Sequence, residues 1–527
     1  MFIKTYKKYN GGKIYKSIFL VESYRENDTV KHRHLANLTR LPKNLLDGLK
    51  GMLKGGKIVS DEEMVFTQGK SCGGLIVIRE VCKRLGILQA IGKSRQAQLA
   101  LLQITARVLC RRSRLYAATQ WAHQQAIEEV FGLENFTEDS LYANLDFLSE
   151  NQEKIEEKVF KFRCHDKKMR TIYLYDVTSS YLEGKQNELG AFGYNRDGKR
   201  GKMQIVIGLL CDEEGYPVSV QVFEGNTQDV RTVADQLRKL SKRFGVEQVV
   251  FVGDRGMLKS ASINEITKMN WCYITAITKP QIEKLITQNV FQLELFTDEL
   301  MEVKHDDIRY VLHRNPLRAM EISQTRQQKI EAIKKLVQQK NQYLATHRKA
   351  TVTAALKAIQ EKKAQLKIGQ YLKTESRQRT LSFEILQEQI NEDARLDGCY
   401  VIKSNVSEEL ATAQTLHDRY KDLTKVEQAF RTMKQAYEEI RPIYVRKEKR
   451  TRGHVFVCML AYMVIKYVWE HCKGMGINQT NIFEWLDNIH YIQYDVKNVP
   501  IKTLPKKLTE EQTRVLQQLN IKMPTYV

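Results

Sequence analysis

A mixed α/β sheet with helices on its faces is what this sequence predicts, on three observations. Apolar, β-rich runs recur at residues 170–178, 203–211, 217–223, 248–253 and 271–278. Helical periodicity marks 230–244 and 260–269, between the later runs. The turn Asp212-Glu-Glu-Gly215 joins the second and third runs as a hairpin. The resulting order, β-β-β-α-β-α-β, is that of the ribonuclease-H-like fold, a mixed sheet with flanking helices.

The flanking segments follow in order. Residues 1–70 hold a β-hairpin and a basic linker. Residues 13–22 alternate around Ile14, Ile18, Leu20 and Val21, Glu26-Asn27-Asp28 turns the chain, and 30–38 return. Lys31, His32, Arg33, His34 and Arg40 make the hairpin cationic, either to touch DNA backbone or as plain solvated surface, and no further metal ligand is usefully spaced from the two histidines. Gly51-Met-Leu-Lys-Gly-Gly56-Lys57-Ile58 falls short of a phosphate loop, because Ile58 replaces the Mg²⁺-holding hydroxyl and no strand leads in. It reads as a flexible linker. Residues 71–165 are helical, with Arg107, Arg111, Arg112 and Arg114 clustered, which suits a DNA-end-binding domain or an ordinary helical packing unit.

Residues 166–286 and 396–480 make the two parts of the sheet domain, and 287–395 a mainly helical insertion between them. The insertion shows one strand, 309–313, and two antiparallel helices carrying Ile330, Ile333, Leu336, Leu344, Leu356, Ile359 and Leu366. The sheet resumes at strand 399–404, followed by a helix over 408–437 that Arg441-Pro442 stops. Residues 455–469, apolar nearly all round, read as a buried helix, and 481–527 as a C-terminal tail.

Composition narrows the function. The chain has 527 residues and a net charge of +22, a balance that favours a polyanionic partner. The apolar run 455–469 contains Lys466 and is shorter than the about 20 residues a membrane span needs. With no signal-like segment at the N-terminus, a cytoplasmic location is expected. Nine cysteines, never spaced Cys-x-x-Cys, read as reduced core thiols and not as a structural zinc site.

Three acids stand where acids are costly or aligned. Asp176 lies inside Thr171-Ile-Tyr-Leu-Tyr-Asp-Val, and Asp254 closes Val249-Val-Phe-Val-Gly-Asp. A carboxylate at the heart or end of a buried strand needs a cation or donors to offset its desolvation. Glu427 sits mid-helix with Tyr420 and Lys434 seven residues to either side. Seven steps of about 100° return within ~20°, so the three share one face, with Arg431 one turn beyond. Two Mg²⁺ ions about 4 Å apart, held by carboxylates, are standard machinery for phosphodiester chemistry.

Asp176 in Tyr-Asp-Val-Thr, Gly253-Asp254-Arg255-Gly256, Phe223-Glu-Gly-Asn226-Thr-Gln-Asp229 and the Tyr420–Glu427–Lys434 spacing together resemble the DDE transposases of insertion sequences. More closely, they resemble the subgroup with a Tyr-x2-Arg-x3-Glu-x6-Lys signature. The signature Arg is missing, since Leu423 holds its place, and Arg431 or Lys421 would have to substitute. The resemblance implies a DNA transposase that binds the inverted repeats of its element, cleaves and transfers strands, and works as a synaptic dimer on double-stranded DNA. It assigns Asp176, Asp254 and Glu427 as catalytic ligands of two Mg²⁺ (or Mn²⁺) ions. It also assigns Tyr420 and Lys434 to phosphates at the scissile bond, with Arg255 and Arg431 in support. Arg196, Lys199, Arg200 and Lys202, and the stretch 446–452, would track DNA backbone or else are solvated surface. Asn226 and Asp229 either brace the site or, for Asp229, cap the next helix. Another ribonuclease-H-like nuclease and a silent DNA-binding protein are the alternatives.

Overall fold

The computed structural model describes residues 1–10, 13–27, 29–56, 64–110, 112–164, 171–199, 201–297, 299–434, 444–496, 499–505 and 507–524. Asp28, Lys57, Ile58, Arg111, Arg170, Arg200, Tyr437 and the Arg441-Pro442 stop lie outside them. Two compact units form: Met1–Cys72 with Ile489–Thr509 and Lys522–Val527, and Gly73–Asn488 with Glu510–Ile521.

In the first unit the expected hairpin, Lys13–Glu26 and Thr29–Asn37, gains a third strand, Phe2–Asn10, paired antiparallel from Phe2↔Val21 to Asn10↔Lys13. Gly51–Leu53 ends a helix, Lys43–Leu53, where a linker was expected. A second sheet joins Met64–Ser71 to His490–Val496 and Val499–Thr503, so part of the expected tail is strand.

The second unit is built on an eight-stranded mixed sheet. In spatial order its strands are Met301–His305, Ile308–Arg314, Cys399–Ser404, Cys272–Ala276, Val249–Gly253, Thr171–Tyr181, Gln204–Asp212 and Pro217–Glu224. Thr171–Tyr181 is central, antiparallel to Gln204–Asp212 and parallel to Val249–Gly253. Tyr173, Tyr175, Val206, Leu237, Phe251 and Tyr273 fill the core between this sheet and the helices Asp229–Arg238 and Ser260–Lys268. The expected strands and helices of this region are all present, displaced by only a few residues at their ends.

The segment 287–395 has the two expected helices and more strands than the single one expected. Its hairpin Met301–His305/Ile308–Arg314 extends the main sheet. The helices Pro316–Thr346 and Val352–Leu366 pack around Ile330, Ile333, Val337 and Ile359 together with a further hairpin, Leu372–Arg377/Thr380–Ile385. The helix expected over 408–437 is two, Ala413–Lys421 and Leu423–Lys434. The break falls at Asp422, whose carbonyl accepts from the Lys425 N–H three residues on, with its carboxylate paired to Arg419 and Lys425.

The helices of 73–163 fold into the same unit as the sheet. Ser94 and Thr137 cap Arg95–Leu109 and Glu138–Arg163, as short hydroxyl side chains do at first turns. Arg107 and Arg114 of the expected basic cluster turn inward. Arg107 donates to the Arg112 carbonyl and Arg114 to Gln103 Oε1 at 2.9 Å, so neither offers an open DNA contact. The helix Glu448–Cys472 is long and apolar enough to cross a membrane by length and composition, but most of its apolar stretch is buried inside the unit.

At Gly453 this helix meets the backbone of Glu138–Arg163: an added Cβ would lie 2.2 Å from the Leu145 carbonyl oxygen. Gly453→Ala therefore forces two helices apart and should cost about 1–3 kcal/mol. Urea unfolding checks this, with Gly474→Ala, which meets nothing within 4 Å, as the unchanged control.

Candidate active site

The sheet register sets the first two acids side by side. Tyr175 pairs with Gly253 in the parallel ladder, so Asp176 and Asp254 each follow a paired residue on adjacent strands. Such strands run about 4.8 Å apart. Glu427 arrives from the helix Leu423–Lys434, whose buried positions Leu423, Val426, Phe430 and Met433 repeat at three- and four-residue steps. That buried stripe turns Glu427 outward, and all three acids line one cavity of about 320 Å³.

The charge in this cavity is unbalanced. Burial raises the Asp176 carboxyl to about 7; the Val177 N–H, 2.8 Å from Oδ1, pulls the other way, and Asp254 and Glu427 push it up further. Arg196, the one cation lining the cavity among the described residues, is already engaged. A terminal nitrogen of its guanidinium donates to both Asp229 oxygens, at 2.7 and 2.6 Å. Asp254 is exposed and accepts from its neighbour's N–H, that of Arg255 (2.8 Å), and from the Tyr420 hydroxyl (3.1 Å). Burial, with Asp254 second, raises the Tyr420 phenol and keeps it a donor.

Several expected roles change. The Lys434 side chain is 10% exposed, and its ammonium donates to Thr178 Oγ1 (2.5 Å) and Asp197 Oδ1 (3.0 Å). Tyr420 spends its hydroxyl on Asp254. Asp229 does not cap its helix. Gln228 is the N-cap, no side chain bonds there, and the Asp229 carboxylate holds Arg196. Leu423 is buried under its helix, while Lys421 and Arg431 are exposed, as is Arg255.

The backbone-tracking cations are mostly paired. Lys202 binds Glu183 (2.6 Å), Lys449 binds Glu150 (2.8 Å), Arg450 binds Asp146 (3.1 Å) and Arg452 binds Glu448 (2.7 Å). Lys199 is exposed, its ammonium 5.9 Å from the Tyr181 ring centroid, and Asn226 lines a neighbouring cavity with Arg196, Asp229 and Lys259.

Asp197 is the residue that sequence reasoning passed over. It sits in a loop that reads as basic, yet its carboxylate is 3% exposed, takes Lys434 on one oxygen and accepts the Tyr181 N–H (3.1 Å) on the other. It thereby ties the Asp176 strand to the end of the Glu427 helix. The only signal in the sequence was an acid inside a run of cations.

Among the described residues, no three His, Cys, Asp or Glu side chains are drawn together into a ready-made metal cluster. The donor chemistry nevertheless fits a divalent cation. Three oxygen-donor carboxylates share a cavity, and the Asp176 carboxyl is raised first by burial and then by its two acidic neighbours, a charge penalty that a hard cation relieves.

Residues 167–464 match the family described as "Transposase DDE domain", and residues 3–66 match "IS1634 family transposase, N-terminal domain". No curated protein matches the chain. Among solved structures, a piggyBac transposase synaptic complex with hairpin DNA aligns with 79% of this chain and 78% of its own, at 10% identity and a TM-score of 0.38. A likeness that distant carries no weight for the site.

The raised Asp176 carboxyl has a pH consequence. The folded chain holds a proton there that the unfolded chain has released, so this group's contribution to stability falls as pH rises from about 4 through 7. Cation binding must expel that proton. Mg²⁺ should bind cation-free protein about tenfold more weakly at pH 6 than at pH 8. Titration calorimetry reads this, and a pH-independent constant would remove Asp176 from the ligand set.

Proposed function

We infer, for a chain that belongs to the DDE transposase family, that Asp176, Asp254 and Glu427 are its catalytic carboxylates. The protein is a DNA transposase, an enzyme that cleaves DNA and transfers strands. The observation that carries the residue assignment is the convergence of the three acids, from three separated segments, on one cavity. The strand order around Asp176 supports a ribonuclease-H-like core: Pro217–Glu224, Gln204–Asp212, Thr171–Tyr181, Val249–Gly253, Cys272–Ala276, with the last three parallel.

Asp176, Asp254 and Glu427 would hold two Mg²⁺ or Mn²⁺ ions, which when bound neutralise phosphate charge and ready an oxygen nucleophile. The remaining work falls to this chain's own side chains. Tyr420 fixes the orientation of Asp254 through its hydroxyl. Lys434, held by Asp197 and Thr178, supports the site from beneath and adds positive potential without leaving its partners. Arg196, braced by Asp229, sets a guanidinium at the cavity wall, where a phosphate oxygen can meet it. The exposed Arg255, Arg431 and Lys421 supply salt-dependent contacts to DNA backbone, the last two in place of the signature Arg that Leu423 displaces. The element's inverted repeats are the substrate, brought together by a dimer in the cytoplasm.

Asp176→Ala, Asp254→Ala and Glu427→Ala should each lower end cleavage by about a thousandfold or more, with gel-shift binding of the end retained. Near-normal nicking by any one variant excludes that residue. Tyr420→Phe keeps the ring and loses one donor, and should lower cleavage by about 10- to 100-fold without changing end binding.

A further inference from the structure

The N-terminal sheet segregates its side chains by register. Opposed residues in an antiparallel ladder share a face, and the pairings Tyr24↔Lys31, Glu22↔Arg33 and Glu26↔Thr29 put Glu22 and Glu26 on one face. There both are neutralised, Glu22 by Arg33 (2.7 Å) and Glu26 by Lys31 (2.6 Å). The pairings Lys4↔Phe19, Tyr6↔Ser17, Lys8↔Tyr15, Val21↔His34, Ser23↔His32 and Arg25↔Val30 define the other face. It carries no acid among the described residues. Lys8 and Arg25 on it are exposed and make no ion pair there.

The same face carries a connected set of rings. His34 stacks on Phe19 at 4.5 Å and 18°, and shares a hydrogen bond with the Tyr6 hydroxyl at 2.9 Å. His32 meets Phe2 edge-on at 5.5 Å, and Lys4 lies 5.3 Å from the Tyr6 ring. His32 and His34 are exposed, with Tyr15 57% and Phe2 37% exposed.

We propose that this face binds single-stranded DNA, its unpaired bases stacking on the rings and its phosphates lying against Lys8 and Arg25. Charge complementarity selects a polyanion, and the rings select the form of it. A duplex keeps its bases stacked on one another and would use the cations alone, whereas unpaired bases each present a π-face to an aromatic side chain. This face belongs to the first unit alone, and the proposal does not rest on the assignment of the catalytic acids.

The test uses full-length protein in EDTA, so that cleavage is silent, and fluorescence anisotropy with a labelled oligothymidylate and a duplex of equal length. Phe2→Ala combined with Tyr15→Ala should weaken oligothymidylate binding at least about tenfold and duplex binding less than about twofold. Tyr9→Ala combined with Ile14→Ala, exposed residues of the opposite face, should leave both within about twofold. Equal losses from the two faces, unchanged affinity, or a loss for duplex as large as for the single strand would overturn the proposal. Lys8→Gln with Arg25→Gln removes charge without packing. It should reduce the salt slope for oligothymidylate by about 1.4, and an unchanged slope also overturns it.

Discussion

A carboxylate buried at the heart of a sheet, with two more acids crowded into the same cleft, is the constraint around which this part of the second unit is arranged. The parallel register sets Asp176 and Asp254 on neighbouring strands, and an amphipathic helix brings Glu427 to the same cavity. Left alone, such a cluster would open the cleft or strip itself of charge. The protein answers in three ways: it raises the Asp176 carboxyl toward neutral pH, places Arg196 at the wall, and gives Asp254 two donors. None of these cancels the excess. That excess of negative charge suits the proposed role, in which divalent cations and the phosphates that accompany them occupy the cavity.

Holding the acids together against that repulsion needs a rigid frame, and the Lys434–Asp197 pair supplies part of it. Both groups are nearly shut away from water, so each would be costly without the other. The pair spans the Asp176 strand, the loop after it and the last turn of the Glu427 helix. A displacement of the helix would therefore strand a charge in the interior. This coupling gives the buried pair a registry role, in which two elements are locked in one relative position at some expense of stability. Arg196 and Asp229 repeat the arrangement at the cavity wall, joining the same loop to the helix Asp229–Arg238.

The sequence made the site more legible than its supports. Asp176 and Asp254 stand out because acids interrupt otherwise apolar strands, and the core elements show because their apolar periods are strong. Elements without an apolar face escaped. Phe2–Asn10 alternates aromatic residues with lysines, and the hairpin Leu372–Ile385 and the strands after His490 are short and mixed. The break at Asp422 involves no Gly or Pro, and so left no mark in a helical pattern. Charge was the least legible property. Arg450 looks free for DNA until its partner Asp146, 304 positions earlier, is folded against it, and Asp229 looks like a cap until Arg196 claims it. Pairings of this kind are set by tertiary geometry, which local patterns do not encode.

The second sheet of the first unit closes across nearly the whole chain: the Cys72 N–H donates to the Ile489 carbonyl, 417 positions on, just beyond the paired strands Met64–Ser71 and His490–Val496. At ribosomal speeds of about 5–20 residues per second, the earlier strand waits roughly 20–80 s for its partner to be made. Through that interval it is an unpaired edge, open to capture by other nascent strands. The same delay means that this sheet cannot form before the strands at 490–503 are made, so a message truncated ahead of them yields a chain whose leading segment has no mate to complete its ladder.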